Sequence, residues 1–239
     1  MTRFTLQQRR DAILSPEFDA RGRDMLAAPR VGVLALQGDF REHRVMLERL
    51  GAVTSEVRRA DAVDELDGLV IPGGESTTIG KLIREYGFVE PIRAFAAAGG
   101  PVYGSCAGLI ALARKIIDGD QPLLGLIDIV ARRNAFGRQI RSFEADLAIA
   151  ALGDGPLRAV FIRAPWIESA GPGVEVLASL SGHGVAARQG RILVTAFHPE
   201  LTDDTRVHAQ FLDSVAQFRR DPAESAGRGS AAVNEEVVS

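Results

Sequence analysis

The only cysteine of the 239-residue chain, Cys106, lies in the sequence "GSCAG" at residues 104–108. An apolar, strand-like run precedes it, and a helix-like run, "AGLIALARKI", follows it. A nucleophile between two glycines at such a junction is typical of a sharp strand-to-helix turn that exposes the nucleophile at its tip. The free N–H groups and the dipole of the helix N-terminus favour a thiolate there. A buried structural cysteine would have no use for the two glycines, so the sequence predicts that Cys106 is a nucleophile.

A nucleophilic cysteine requires a base and a group that orients the base. His198 directly follows the apolar run "ILVTAF", and α/β proteins bind ligands at the carboxyl ends of such buried strands. Glu200 is two residues further on, beyond Pro199, and in an extended segment residues i and i+2 project to the same side. A carboxylate there could hold the imidazole in one tautomer, as in a catalytic triad. We therefore predict a triad of Cys106, His198 and Glu200.

The other three histidines give weaker signals. His43 is predicted to lie on the apolar face of the first helix, at the edge of the core or on the surface, His183 in a turn, and His208 within the last helix. The spacing of the four histidines and the cysteine matches no metal site. We therefore predict no metal in the site.

A second turn is suited to stabilising negative charge. The run "LVIPGGESTT" (69–78) predicts a buried strand that leads through two glycines into a helix. Such a turn can point backbone N–H groups at negative charge that develops during a reaction. The alternative is an ordinary strand-to-helix turn with Ser76 or Thr77 as the helix N-cap. The run matches neither glycine-rich phosphate-binding motif, so a nucleotide site has little support.

The composition is that of an ordinary globular protein, with 46% hydrophobic and 25% charged residues and a formal net charge of −3. Basic residues are spread along the chain, and no apolar run approaches the ~20 residues that cross a bilayer, so neither nucleic acid nor a membrane is an expected partner. A single cysteine rules out an internal disulfide framework and favours a reducing, cytoplasmic location. We predict one domain over 30–219, with disordered segments at 1–29 and 220–239.

The pattern of elements indicates an α/β fold. Strand-like and helix-like runs alternate up to about residue 120, which predicts a mostly parallel sheet with helices on both faces, a three-layer sandwich. Closely spaced strand-like runs follow, including a hairpin turned at Gln189-Gly190, which predicts antiparallel additions in the C-terminal half. An amphipathic helix over 202–218, capped by Thr202 or Asp203, completes the fold.

Six segments occur in an order that identifies a family: "LALQGDFREH", "LVIPGGESTTI", "YGSCAGLIALA", "RNAFGRQIRSFEADL", "VFIRAP" and "FHPELTDD". From about Arg30 to Phe218 the chain resembles the glutaminase subunits of pyridoxal 5′-phosphate synthase, which are class I (triad) glutamine amidotransferases with a flavodoxin-like fold. The motifs "GSCAG" and "HPE" indicate the glutaminase class, and "LQG", "PGGEST" and "RNAFGRQ" together indicate this subfamily. Ser105 stands where threonine is also expected, and no catalytic position departs from the family pattern.

The resemblance implies a reaction and a set of site residues. Cys106 would attack the side-chain amide of glutamine to form a glutamyl thioester, while His198, oriented by Glu200, would protonate the departing ammonia and then activate water. The N–H groups of Gly74 and Ala107 would form the oxyanion hole. Glutamine contacts carry over to Gly74, Glu75, Ser76, Arg133, Ile162 and Arg163, with Gln37 helping to organise the site.

The resemblance also implies a partner. A synthase subunit of the PdxS type would receive the ammonia internally, within a large hetero-oligomer, and combine it with ribose 5-phosphate and glyceraldehyde 3-phosphate. Pyridoxal 5′-phosphate would be the product of the complex, so no cofactor is expected in this subunit. Docking on the synthase is expected to assemble the oxyanion hole, and the peptide between Gly73 and Gly74 is the element that we expect to flip.

Two other functions remain open on the sequence. A stand-alone cysteine hydrolase or peptidase could use the same fold and nucleophile, but it would not need Arg133 and Arg163 to bind the carboxylate of a free amino acid. A non-catalytic binding subunit could keep the fold, but the intact set of Cys106, His198 and Glu200 argues against that function.

Overall fold

Five short strands form the parallel part of the main sheet. They are β1 (Arg30–Leu34), β2 (Val53–Val57), β3 (Gly68–Ile71), β4 (Val102–Ser105) and β12 (Ile192–Thr195), in the spatial order β2-β1-β3-β4-β12. Strands β3, β4 and β12 are buried along their whole length, and β1 is buried except at its first residue. Continuous apolar runs of this kind are expected of parallel strands that are covered on both faces.

The C-terminal half extends this sheet and adds a second, smaller one. The main sheet continues from β12 in the order β11-β9-β6-β5, with β10 paired to β11, and every pairing in this part except β5 with β6 is antiparallel. Two further strands pair only with each other. The mostly parallel sheet with antiparallel additions is thus confirmed. The additional strands are β5 (Ala113–Ile116), β6 (Ile127–Arg132), β7 (Ser142–Leu147), β8 (Leu157–Ile162), β9 (Trp166–Ala170), β10 (Glu175–Leu180) and β11 (His183–Gln189).

Helices cover the main sheet in two groups. In the described part of the chain the α-helices are α1 (Phe40–Arg49), α2 (Ser76–Glu85), α3 (Val89–Ala97), α4 (Ala107–Leu112) and α5 (Arg206–Arg220), with short 3-10 helices at Ala60–Glu65, Ala150–Leu152 and Pro199–Leu201. Helix α1 contacts α5, and α2 contacts α4. With the sheet between them, these groups give the predicted sandwich. Among the residues with a described position, no helix is long and apolar enough to cross a bilayer.

This computed structural model describes residues 27–117, 119–133, 135 and 142–221. The disorder predicted for 1–29 and 220–239 therefore falls almost entirely outside the described residues, and the domain boundaries at 30 and 219 stay predictions. Part of the "RNAFGRQIR" motif, residues 134 and 136–141, also lies outside them.

The predicted helix "AGLIALARKI" is wrong in its second half. Helix α4 ends at Leu112, and Ala113 begins strand β5, where it pairs with Ile127 of β6. The guanidinium of Arg114 donates to Asp128 at 2.8 Å across the same pair of strands. A short apolar run does not by itself distinguish a helix from a strand, and here the pairing with β6 decides.

The last helix begins later than predicted. Helix α5 starts at Arg206 with Thr205 as its N-cap, and neither Thr202 nor Asp203 caps it. The hydroxyl of Thr202 instead accepts from the N–H of Asp204, whose carboxylate accepts from the N–H of Arg206. These side chains build the turn that precedes the helix.

Two details of the antiparallel part also differ from expectation. Gln189 pairs with Ile192, so the hairpin loop is Gly190-Arg191, and Gly190 takes the positive φ of +56° that this loop requires. Strand β9 was not predicted, because only Ile167 of its five residues is buried and the apolar alternation is therefore too short to recognise.

The parallel strands bring the predicted chemistry to one edge of the sheet. Because β1, β3, β4 and β12 run in the same direction, their carboxyl ends lie side by side. The residues that follow these ends are Gln37, the Gly73-Gly74 turn, Cys106 and His198.

Candidate active site

Cys106 lies at the tip of the turn between β4 and α4. Its backbone has φ 47° and ψ −101°, an unusual conformation for a non-glycine residue. The Cys106 N–H donates to the carbonyl of Thr195 in the neighbouring strand β12 at 2.8 Å, which helps to hold this conformation. The structure therefore has the strained turn that the sequence predicts, with the cysteine as the residue immediately before helix α4.

The two glycines around Cys106 are required by close packing. A Cβ on Gly104 would lie 2.6 Å from the carbonyl carbon of Gly108, and a Cβ on Gly108 would lie 2.1 Å from the carbonyl oxygen of Ile71. Real Cβ atoms are not found at such distances from backbone atoms. The first glycine lets the helix approach its own strand, as expected, and the second lets the helix lie against β3.

A cavity of about 360 Å³ opens beside Cys106. This volume is at the lower end of the range for small-molecule sites, ~300–1,000 Å³. Every predicted site residue except Glu200 lines this cavity: Gln37, Gly74, Glu75, Ser76, Cys106, Ala107, Arg133, Ile162, Arg163 and His198. The thiol of Cys106 is 3.8 Å from the carbonyl oxygen of Ile162 on the opposite wall.

His198 is held from both sides. Its backbone N–H donates to the carbonyl of Val160 at 2.9 Å, and its Nδ1 lies 2.8 Å from Oε1 of Glu200. Burial lowers the pKa of His198, but hydrogen bonds to Cys106 and Glu200, together with their charges, outweigh burial and raise the pKa to about 10. An imidazolium is therefore favoured at neutral pH, and this is the form that can donate a proton.

Glu200 is fully buried behind His198. Burial raises the pKa of its carboxyl, but the charge of His43 and hydrogen bonds with His198 and His43 overcome that effect and hold the pKa far below its usual range. The sequence argument for its position was only partly right. Glu200 lies in the 3-10 helix Pro199–Leu201, so it reaches Nδ1 of His198 from a helical turn and not from an extended segment.

One group of potential metal ligands occurs among the described residues. Ligand atoms of Asp39, His198 and Glu200 all lie within 4.8 Å of one another. Nδ1 of His198 is already shared with Glu200 at 2.8 Å, while Asp39 is 3.5 Å away and partly exposed. This geometry suits an imidazole–carboxylate pair, and the absence of a metal stays a prediction.

The Gly73-Gly74 turn lies next to the thiol and is held by two contacts. The carbonyl of Gly73 accepts from the N–H of Asp39 at 3.3 Å, and the N–H of Glu75 donates to Oε1 of Gln37 at 2.9 Å. Gly74 has φ +150°, and a Cβ on it would lie 2.4 Å from Oε1 of Gln37. The turn therefore depends on glycine at this position, and Gln37 contacts it, while the organising role of Gln37 stays a prediction.

Glu75 begins helix α2 and also braces an arginine. Its carboxylate is the N-cap of the helix, accepting from the N–H groups of Thr77 and Thr78, so neither Ser76 nor Thr77 is the cap. Partial burial raises the pKa of Glu75, but the hydrogen bonds from Thr78 and Thr77 outweigh it and lower the pKa to about 2. The guanidinium of Arg133 lies 3.1 Å from the hydroxyl of Thr77 and 3.5 Å from Glu75, at the cavity wall.

Arg163 and Ser76 complete the predicted set. Arg163 lines the cavity with a positive φ of 44°, which is uncommon for a non-glycine residue. The hydroxyl of Ser76 donates to Gln121, and the side-chain amide of Gln121 donates back to the carbonyl of Ser76. Gln121 thus fixes the start of α2.

Sequence reasoning missed several polar residues near the site. His43 is completely buried, although it was expected at the edge of the core or on the surface. Its place on the apolar face of α1 was a usable signal, because a buried imidazole must have hydrogen-bond partners. Asp39 and Gln121 gave no such signal, since their roles depend on contacts between segments that are distant in sequence.

Comparison with known proteins identifies the family. The model of the "SNO glutamine amidotransferase family" matches residues 33–217. The chain is 60% identical over 193 residues to "Pyridoxal 5′-phosphate synthase subunit PdxT" of Parafrankia sp. (strain EAN1pec), covering 80% of this chain and 95% of that protein. It is 57% identical over 195 residues to the protein of the same name from Mycobacterium leprae (strain TN), covering 80% and 98%.

A solved structure agrees with these relatives. The structure described as "Crystal structure of glutamine amidotransferase" is 51% identical, with a TM-score of 0.74, and the match covers 77% of this chain and 98% of that one. The family resemblance inferred from the motifs is therefore confirmed: the chain belongs to the SNO glutamine amidotransferase family.

Proposed function

We propose that this chain hydrolyses L-glutamine to L-glutamate and ammonia. The sulfur of Cys106 attacks the side-chain amide carbon, the C–N bond breaks, and His198 gives its proton to the departing ammonia, which leaves a glutamyl thioester. His198 then takes a proton from water, the resulting hydroxide attacks the thioester carbon, the C–S bond breaks, and glutamate leaves, with the free sulfur and the imidazolium restored. Glu200 holds the imidazole in the tautomer that both steps require.

The negative charge on the amide oxygen needs donors during both steps. We assign this role to the N–H groups of Gly74 and Ala107, which border the same cavity as the thiol. Glu75, Ser76 and Ile162 would contact the substrate along the cavity wall.

The charged ends of the substrate define the remaining contacts. Arg133 and Arg163 are suited to the α-carboxylate, because a guanidinium binds a carboxylate through two parallel hydrogen bonds. Glu75 keeps Arg133 at the wall, and its low pKa keeps this support charged at neutral pH.

The ammonia would pass to a synthase subunit that makes pyridoxal 5′-phosphate. The relatives named as subunits of that synthase support a partner of this kind, and we propose a PdxS-type subunit in a large hetero-oligomer. Its substrates would be ribose 5-phosphate and glyceraldehyde 3-phosphate. Amide hydrolysis by a thiol and an imidazole needs no cofactor or metal, so we propose none for this subunit. A cytoplasmic location stays a prediction that rests on the single cysteine.

One observation supports this proposal most directly. The only cysteine of the chain faces the same cavity as His198, and Nδ1 of that imidazole contacts the buried carboxylate of Glu200. A cysteine that served only for packing would need neither the strained turn nor this pair behind it.

The test combines the chain with a PdxS-type synthase subunit. Glutamate release and cofactor absorbance are followed with either glutamine or an ammonium salt as the nitrogen source. We expect Cys106→Ala to reduce the glutamine-dependent rate by several orders of magnitude and to leave the ammonium-dependent rate unchanged. Glutamine-dependent synthesis by Cys106→Ala would favour a non-catalytic binding subunit, and peptide cleavage without glutamine turnover would favour the peptidase alternative.

A further inference from the structure

A group of buried polar side chains surrounds the carboxylate of the proposed triad. It consists of Glu200, His43, Ser105 and His208, which we call the rear cluster. All four are buried. Nε2 of His43 lies 2.9 Å from the hydroxyl of Ser105 and 3.4 Å from Oε1 of Glu200, and Nδ1 of His43 lies 2.9 Å from Nε2 of His208. Helix α1, strand β4 and helix α5 thus each contribute one side chain, and His43 joins Ser105 and His208 to the carboxylate.

The hydrogen-bond partners of His43 and His208 show which imidazole nitrogen of each residue carries the proton. Nδ1 of His208 has no hydrogen-bond partner among the described residues, and a buried N–H without an acceptor is rarer than a buried lone pair without a donor. His208 therefore carries its proton on Nε2 and donates to Nδ1 of His43. His43 must then carry its own proton on Nε2, facing Ser105 and Glu200. Burial is the main cause that lowers the pKa of His208 to about 3, which agrees with a neutral His208.

We propose that His43 is a positioning residue, which shares its Nε2 proton between the hydroxyl of Ser105 at 2.9 Å and the carboxylate of Glu200 at 3.4 Å and keeps Oε1 directed at Nδ1 of His198. The proposal rests on the glutaminase function proposed above. His208 fixes the tautomer of His43, and Ser105 links the same nitrogen to the residue next to the nucleophile. Oε2 of Glu200 has no partner among the described residues, so Oε1 is the oxygen on which both imidazoles converge.

The charges around His198 define the expected pH effect. Its imidazole faces Cys106, Glu200 and, at 3.5 Å, Asp39, whose pKa is raised by burial. Glu200 itself faces His198 and His43. Without the donor at His43, Oε1 of Glu200 is no longer held against Nδ1 of His198, the pair lengthens from 2.8 Å, and the pKa of His198 falls. The imidazolium is then lost at lower pH.

The test compares two amide substitutions at the same position. In His43→Gln the amide nitrogen reaches the place of Nε2 and can still donate to Glu200. In His43→Asn it reaches only the place of Nδ1, near His208. With the synthase subunit present, we expect His43→Gln to keep kcat within about threefold of the wild type and His43→Asn to lose roughly 10- to 100-fold, with KM for glutamine unchanged in both.

The pH profile separates positioning from a merely structural role. The alkaline limb of kcat should move to lower pH in His43→Asn, by about one unit for a tenfold weaker stabilisation of the imidazolium, and should stay in place in His43→Gln. Equal losses in both variants without a shift of this limb would overturn the proposal, as would wild-type behaviour of both. His43→Met, which also lacks a donor, replaces His43→Asn if urea unfolding shows that the latter does not fold.

A second readout needs neither partner nor glutamine. Cys106 is the only thiol, so the rate of its alkylation by iodoacetamide at pH 7 reports the reactivity of the sulfur beside His198. We expect slower alkylation in His43→Asn than in His43→Gln, and equal rates would contradict the role of His43. A wild type that is inert with its partner would reject the glutaminase function, while the alkylation rates would still decide the role of His43.

Discussion

The two sides of the His198 imidazole are built in opposite ways. On the cavity side, the supporting side chains are partly exposed, 42% for Asp39, 44% for Glu75 and 29% for Arg133, and the ion pairs of Asp39 with His198 and of Arg133 with Glu75 are 3.5 Å long. In the rear cluster, the side chains of Glu200 and His43 are fully buried, and Glu200 contacts His198 at 2.8 Å.

This difference follows from what each side must do. A cavity that admits a polar amino acid has to stay solvated and adjustable until the ligand and partner are in place. The carboxylate behind the imidazole has to remain ionised and fixed, and a buried charge is tolerable only where other side chains pair with it, as His198 and His43 do here. Substitutions on the cavity side should therefore change substrate handling and partner dependence, whereas those in the rear cluster should change proton affinities.

The largest effect on the cavity side is expected at the Gly73-Gly74 turn. A Cβ introduced by Gly74→Ala would collide with Gln37 in a backbone conformation that L-residues avoid. The N–H of Gly74 would then be misplaced, and losing one oxyanion donor costs ~10²–10³-fold in rate. We expect this loss in partner-stimulated glutamine hydrolysis, with ammonium-dependent synthesis retained.

A matched control is available at Gly87. It also has a positive φ, +71°, but a Cβ there meets nothing within 4 Å. Gly87→Ala should therefore keep glutamine hydrolysis, although its positive φ also strains an L-residue. Normal stimulation of Gly74→Ala by the synthase subunit would show that this turn is not the element on which partner activation depends.

A smaller effect is expected at Arg133. Arg133→Ala removes the guanidinium that we expect to pair with the substrate carboxylate. It should raise KM for glutamine by roughly 10- to 100-fold and change kcat little. Arg132→Ala is the control, because the neighbouring guanidinium pairs with Glu168 at 2.9 Å on an exposed face. Initial rates over a range of glutamine concentrations distinguish the two variants, and an equal change in both would remove Arg133 from the substrate contacts.

The cavity side was also the easier one to predict from the sequence. Cys106, the Gly73-Gly74 turn and His198 each follow an apolar strand, and parallel strands place such residues at one edge. Arg133 gave no comparable local signal. It was assigned through the family motif, because its place in the cavity depends on contacts with Glu75 and Thr77 from another segment.

The rear cluster shows the limit of the same reasoning. Its members come from four separate elements, and the local signals, the spacing of Glu200 from His198 and the place of His43 on the apolar face of α1, did not show that these elements meet. His43 and His208 are 165 positions apart, and nothing in either helix indicates that the two imidazoles meet. The wrong prediction of a helix beyond Leu112 has the same cause. Ala113 begins a strand because it pairs with β6, and that pairing depends on residues that are distant in sequence.

The smallest predicted effect is a pH dependence of stability in the rear cluster. The pKa of His208 is about 3 in the folded chain and near the ordinary value of 6.5 when unfolded, so below pH 6.5 the unfolded state binds more protons. The stability that comes from a neutral His208 is complete above pH 6.5 and is lost progressively towards pH 3. We compare the wild type with His208→Gln. Because His198, Glu200 and Asp39 titrate in both proteins, the difference between the two isolates the contribution of His208. Between pH 6 and pH 5, the free energy of unfolding in urea should fall by about 1 kcal/mol more in the wild type. Parallel curves would show that His208 is protonated in the fold, and the tautomer assigned to His43 would then be wrong.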